Sequence, residues 1–161
     1  MNETGRPRWE APAVRAHAAS VELDAPPERV FRALVTPTDL RAFWGAARAV
    51  VLAEPGGAWI AAWGDDEDRP DYLTAATIRE YDPPRRLVLS DYRYRAKSGP
   101  LPFAAAFVTS FDLASTPRGA RLTVTQHGFP CTPAGDVFYA ACEQGWKVVL
   151  DQLARHVVAR P

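Results

Sequence analysis

Apolar residues change their period twice along this chain, and each change marks a boundary between elements. Alternation over Ala13–Leu23 (AVRAHAASVEL) predicts a first strand. In APPERVFRALV the prolines suit a helix start, and Val30, Phe31 and Leu34 then fall on one side of a helix. TPTDLRAFW follows at once. Its Thr36, Pro37 and Asp39 stand at capping-box spacing and predict a second short helix. Alternation then returns. AVVLAEPGGAWIAAW predicts a hairpin whose EPGG places proline and glycine as a type II turn prefers. Beyond the acidic loop GDDEDRPD come YLTAATIREY, RLVLSDYRY, FAAAFVTSFDL and ARLTVTQHGF, separated by DPP, AKSGP and STPRG.

The second change comes at Thr132–Pro133, an N-cap followed by a first-turn proline. From there Phe138, Cys142, Gly145, Trp146, Val149, Leu153 and Val157 recur at spacings of three and four. Glu143, Lys147, Asp151 and Arg155 form an i,i+4 charge ladder on the other side. This is a long amphipathic helix, with one anomaly. Gly145 sits in its interior, where glycine costs about 1 kcal/mol relative to alanine. A glycine on the buried flank either lets the helix approach a strand closely or leaves volume beside Trp146.

Short turns between successive strands imply an antiparallel meander, because parallel neighbours need crossovers. A twisted sheet of this size curls, and the terminal helix can cover its open face. The predicted fold is therefore α+β: a curved antiparallel sheet of six to seven strands around a long C-terminal helix, with two short helices after the first strand. A single domain is expected over residues 13–161, preceded by a flexible arm at 1–12 that carries Trp9. No internal repeat or low-complexity linker divides the chain.

Strand parity nominates the residues that face the cleft between sheet and helix. Phe103, Phe107, Phe111 and Leu113 share one parity and take Thr109 with them. Leu122 and Val124 mark the inner face that reaches Gln126, and Trp59 and Trp63 flank Ala61 on one face. Aromatic stripes of this kind read as plain core on pattern alone. A curled sheet under one helix is hard to fill, which turns the reading toward a cavity. There Thr109 and Gln126 would be isolated polar groups on an apolar wall, the makeup of a small-molecule site. RLVLSDYRY supports two parities: Leu87 and Leu89 point Asp91 and Arg93 inward, whereas Tyr92 and Tyr94 point the other way. A bulge between Val88 and Tyr92 would satisfy both. An inward Asp91 would be the best acid, base or substrate anchor; the plainer reading is a solvated sheet edge.

Composition narrows the chemistry. Lys+Arg and Asp+Glu balance at 19 each. Neutrality and the lack of a basic patch argue against nucleic acid or an anionic membrane as partner. No apolar run approaches transmembrane length, and MNETGRPRWE lacks a signal peptide's apolar core, so a cytoplasmic, soluble protein is expected. Cys131 and Cys142 read as two reduced thiols. His17, His127 and His156 lack metal-ligand spacing, and His127 has the parity opposite to Gln126. Neither GxSxG nor a phosphate-cradling loop is present, and the glycines of PGGAW belong to a turn.

APPERVFRALVTPTDLRAFWG, DPPRRLVLS, GARLTVTQHGFP and EQGWKVVLDQL together resemble the bacterial branch related to the C-terminal domain of the activator of heat-shock-protein-90 ATPase. That branch lies in the START-like SRPBCC superfamily. The resemblance spans roughly residues 13–158 and rests on the order of the motifs rather than on any one of them. It implies a helix-grip fold with a deep cavity for apolar small molecules, and it supplies no universal catalytic residues. The reading that results is a protein that binds a hydrophobic or aromatic ligand. Its candidate ligand-binding residues are Trp59, Trp63, Asp91, Phe107, Thr109, Gln126, Gly145 and Trp146, with no cofactor or metal. Two alternatives stand beside it: a cyclase- or hydrolase-like enzyme using Asp91 or His127, and a chaperone-associated interaction module. The expected partner is an apolar small molecule, without membrane insertion, and a homodimer is an open alternative to a monomer.

Overall fold

A computed structural model describes residues 12–159. Trp9 and all but the last residue of the expected arm lie outside that range. The elements are β1 (Val14–Leu23), α1 (Pro27–Val35), α2 (Pro37–Trp44), β2 (Arg48–Val51), β3 (Ala58–Trp63), β4 (Tyr72–Asp82), β5 (Arg86–Ala96), β6 (Val108–Thr116), β7 (Gly119–Pro130) and α3 (Pro133–Ala159). All seven strands form one antiparallel sheet in the order β1-β7-β6-β5-β4-β3-β2. Strands β2 to β7 are a meander, and β1 adds to the free edge of β7. The expected helix-grip arrangement is present, with α1 and α2 inserted after β1.

Local chemistry accounts for most boundaries. In the β2–β3 hairpin the Gly57 amide donates to the Glu54 carbonyl (3.0 Å) and Gly56 sits at φ 80°, as a type II turn requires. Thr132 caps α3 through its hydroxyl, which accepts from the Gly135 amide at 3.1 Å. The expected capping box at α2 does not form. Thr36 donates instead to the Arg32 carbonyl of α1 (2.6 Å), and Asp39 is engaged elsewhere. FAAAFVTSFDL also departs from expectation: only Val108 onward is strand, and residues 104–107 are irregular.

The core lies where α1, α2 and the second half of α3 meet the sheet. Val30, Leu40, Ile78, Leu87, Leu122 and Leu153 are essentially fully buried. One polar knot is enclosed among them. Asp39 accepts from Arg29 at 2.9 Å and lies 2.6 Å from His156 Nε2, so a single carboxylate joins all three helices. The first half of α3 is covered less: Phe138, Cys142 and Val149 are half-buried, and Gly145 is exposed. The helix is thus anchored over its last turns and held away from β3–β6 nearer its middle.

Candidate functional site

That separation leaves a cavity of about 210 Å³ between α3 and the concave face of the sheet. Its floor is buried: Trp59, Leu89, Phe107, Thr109, Phe111 and Trp146 are all below 10% exposed. Its rim is half open, with Trp63, Thr74 and Tyr94 on successive strands facing Cys142, Gly145 and Val149 on α3. The mouth therefore lies between the helix and β3–β5.

Aromatic packing holds the walls. Trp44, at the end of α2, packs against Trp59 and Trp63 at 5.8 Å each and against Trp146 at 5.3 Å between ring centroids. Phe111 meets Trp146 at 5.8 Å, and Phe107 meets Phe138 at 5.5 Å. Three indole N–H groups are fixed by protein acceptors: Trp59 on the Leu34 carbonyl (3.0 Å), Trp63 on the Trp44 carbonyl (3.1 Å), and Trp146 on Gln126 Oε1 (3.0 Å). These bonds orient the rings, since a buried indole needs an acceptor.

Polar groups are few and neutral. Tyr92 donates to Thr109 Oγ1 at 2.8 Å, and Thr109 and Gln126 are direct cross-strand partners on β6 and β7. Burial raises the pKa of Tyr92, so its phenol keeps its proton. Burial also raises the Cys142 thiol to about 11, which keeps it a thiol near neutral pH. His17 lies across β1 from Gln126, packed between Phe129 and Tyr139. Burial holds it below the ordinary histidine value, opposed by the Gln126 side chain and by Glu143. No hydrogen bond of acceptable geometry reaches either ring nitrogen. Among the described residues, no group of three histidine, cysteine or carboxylate side chains is placed to hold a metal.

Seven of the eight residues nominated by parity line this one cavity: Trp59, Trp63, Phe107, Thr109, Gln126, Gly145 and Trp146. Asp91 does not. Ala75 pairs with Arg93 and Thr77 with Ser90, so Asp91 and Tyr92 both stand against Ala76. Asp91 takes up the extra residue at φ 54°, a left-handed conformation that aspartate tolerates better than most residues. The bulge turns it away to an exposed position, where it accepts from Ser90 Oγ at 2.9 Å beside a separate recess that includes Thr77 and Arg79. Beyond the bulge the parity flips, and Tyr92 and Tyr94 reach the cavity. His127 is exposed and outside the lining. Gly145 is exposed at the cavity mouth, and a Cβ built there meets nothing within 4 Å. Close approach to a strand is excluded.

Sequence reasoning missed Trp44 and Thr74, whereas the inward turn of Tyr92 and Tyr94 follows from the bulge it had allowed between Val88 and Tyr92. For Trp44 a signal existed in the AFWG ending of α2, where Gly45 at φ 72° stops the helix and leaves the indole at its tip.

The sequence profile of the Activator of Hsp90 ATPase homolog 1-like protein family matches residues 24–158. No curated protein matches this chain. Among solved structures, protein CV1439 from Chromobacterium violaceum is 27% identical, with a TM-score of 0.68 over 88% of this chain and 96% of that one. An uncharacterised protein from Rhizobium leguminosarum (19% identity) has a TM-score of 0.75 over 93% and 98% of the two chains. MLL2253 from Mesorhizobium loti, also 19% identical, has one of 0.73 over 91% and 99%. The chain belongs to the Activator of Hsp90 ATPase homolog 1-like family.

Proposed function

We propose that this member of the family binds an apolar or aromatic small molecule in the cavity between its sheet and α3. The carrying observation is Gly145. The helix takes the weakest non-proline helix former at a position where a side chain has room, so no contact with a strand explains the glycine. What the glycine preserves is volume, at the mouth of a cavity floored by buried aromatic rings. That volume has an energetic meaning. At about 24 cal/mol per Å³, a closed void of this size would forgo on the order of 5 kcal/mol, and an open cleft less. An apolar ligand recovers part of it.

The enzyme alternative loses its proposed groups, since Asp91 and His127 both lie off the lining. A cytoplasmic setting agrees with the two free thiols, Cys131 and Cys142.

The test is titration of the protein with the uncharged fluorescent probe N-phenyl-1-naphthylamine, alongside Gly145→Leu. The expected result is saturable binding to the wild type, at least tenfold weaker in Gly145→Leu at unchanged secondary structure. Equal binding by both proteins would place the probe elsewhere and remove the main support. Mass spectrometry of whatever small molecule copurifies with the native protein would then identify the ligand.

A further inference from the structure

We infer that the ligand is an uncharged aromatic molecule carrying a carbonyl or similar acceptor oxygen, received by a two-donor clamp formed by Gln126 and Thr109. This inference rests on the binding role proposed above and narrows it to a chemical class.

The orientation of Gln126 fixes the first donor. An indole N–H can only donate, so the atom that Trp146 contacts at 3.0 Å must be the amide oxygen of Gln126. With Oε1 held by Trp146, the amide NH₂ is the group left over. It carries two protons on diverging bonds, and one of them can face the cavity even where the side chain also meets His17, its cross-strand partner on β1.

Thr109 supplies the second donor. It is 1% exposed, and its Oγ1 already accepts from Tyr92 at 2.8 Å, which leaves the hydroxyl proton to be donated. Thr109 and Gln126 are registered directly opposite each other on β6 and β7. Direct cross-strand neighbours have Cβ atoms about 4.5–5.5 Å apart, near enough for one oxygen with two lone pairs to accept from both.

The surroundings select against charge. None of the residues lining the cavity is an aspartate, glutamate, lysine, arginine or histidine, and the phenol and thiol on its walls stay protonated. A carboxylate ligand would lose its hydration with no cation to receive it. A pure hydrocarbon would leave the Gln126 and Thr109 donors dry. A neutral aromatic ketone meets both conditions.

Fluorene and 9-fluorenone test this, because they share a ring skeleton and differ by a CH₂ against a C=O. Each is titrated into the full-length protein by tryptophan quenching, and the carbonyl stretch of bound fluorenone is read by infrared difference spectroscopy. The wild type should bind fluorenone about tenfold tighter than fluorene, the scale of one net hydrogen bond. Its carbonyl band should lie below its position in hydrocarbon solvent. Gln126→Glu keeps an oxygen for Trp146 but removes the amide donors, and should lower the ratio of fluorenone to fluorene affinity several-fold. Binding of both compounds with equal affinity and an unshifted carbonyl band would overturn the clamp and leave the binding role standing. Failure of both compounds to bind would overturn the two together. The infrared measurement needs no variant, so a poorly folding Gln126→Glu protein would not rescue the inference.

Discussion

Two sets of inward-facing polar side chains, one meeting α3 at His156 and the other at Trp146, are built on opposite principles. The Arg29–Asp39–His156 knot is ionic and closed: one carboxylate oxygen serves two partners, and it ties α1, α2 and α3 together. The Tyr92–Thr109 and Gln126–Trp146 pairs are neutral and stand at the wall of a cavity. A buried charge is tolerated only with its partners in place. A buried neutral group can face open volume at moderate cost, and a ligand can later complete it. The knot therefore belongs to the scaffold, and the wall is where the proposed ligand would bind.

The contrast breaks most visibly at Asp39. Asp39→Ala removes the carboxylate between Arg29 and His156, and should cost about 3–5 kcal/mol in urea unfolding. A loss below about 1 kcal/mol would show that the knot does not hold the helices. At the wall the same kind of cut should be smaller. Tyr92→Phe deletes only a neutral donor to Thr109, an expected loss of about 0.5–1.5 kcal/mol. If the two variants prove equally destabilised, the distinction between scaffold and wall fails.

Acid separates the regions differently. His17, behind the wall, has its pKa lowered by burial, against the smaller opposing effects of Gln126 and Glu143. The unfolded chain takes up a proton at His17 near pH 6.5, whereas the folded chain resists it. More protons bound to the unfolded state means stability that falls with falling pH, so His17 should weaken the fold from about pH 7 toward 5. At Asp39 burial pushes the pKa up, but hydrogen bonds from His156 and Arg29, with their charges, more than offset it and the net shift is downward. Its contribution is complete above about pH 4 and is lost as the pH falls through the folded value. His17→Phe should flatten the upper window and leave the lower one in place, and Asp39→Asn should flatten the lower, read from unfolding midpoints across pH. An upper window that persists unchanged in His17→Phe would mean that His17 is not its source.

The smallest effect belongs to Gly145. With nothing within 4 Å of an added Cβ, Gly145→Ala should raise stability by up to about 1 kcal/mol. A destabilised alanine variant would mean that the helix lies closer to the sheet than the cavity allows.

Much of the wall was legible before any coordinates. Period two on β3, β6 and β7 placed Trp59, Trp63, Thr109 and Gln126 on the concave face, Phe107 kept that side from the irregular residues just before β6, and period 3.6 placed Gly145 and Trp146 opposite them. Within a regular element the covalent repeat alone decides which side chains share a face, so these readings needed no partner. β5 defeated the same method. Whether Asp91 or Tyr92 points inward depends on two residues of β5 opposing the single Ala76 of β4, and that is a fact of cross-strand register. The cap at α2 failed for a related reason. Thr36 and Asp39 carry the local signature, but Asp39 has a stronger partner 117 positions away in His156, and no local rule can see that competition. The sequence alone thus determined the order of elements, the antiparallel meander and the faces of its regular strands and helices, all governed by near-neighbour geometry. Only the tertiary structure decided that Asp91 leaves the cavity, that Trp44 enters it and that Gly145 faces space, because each depends on where distant segments come to rest.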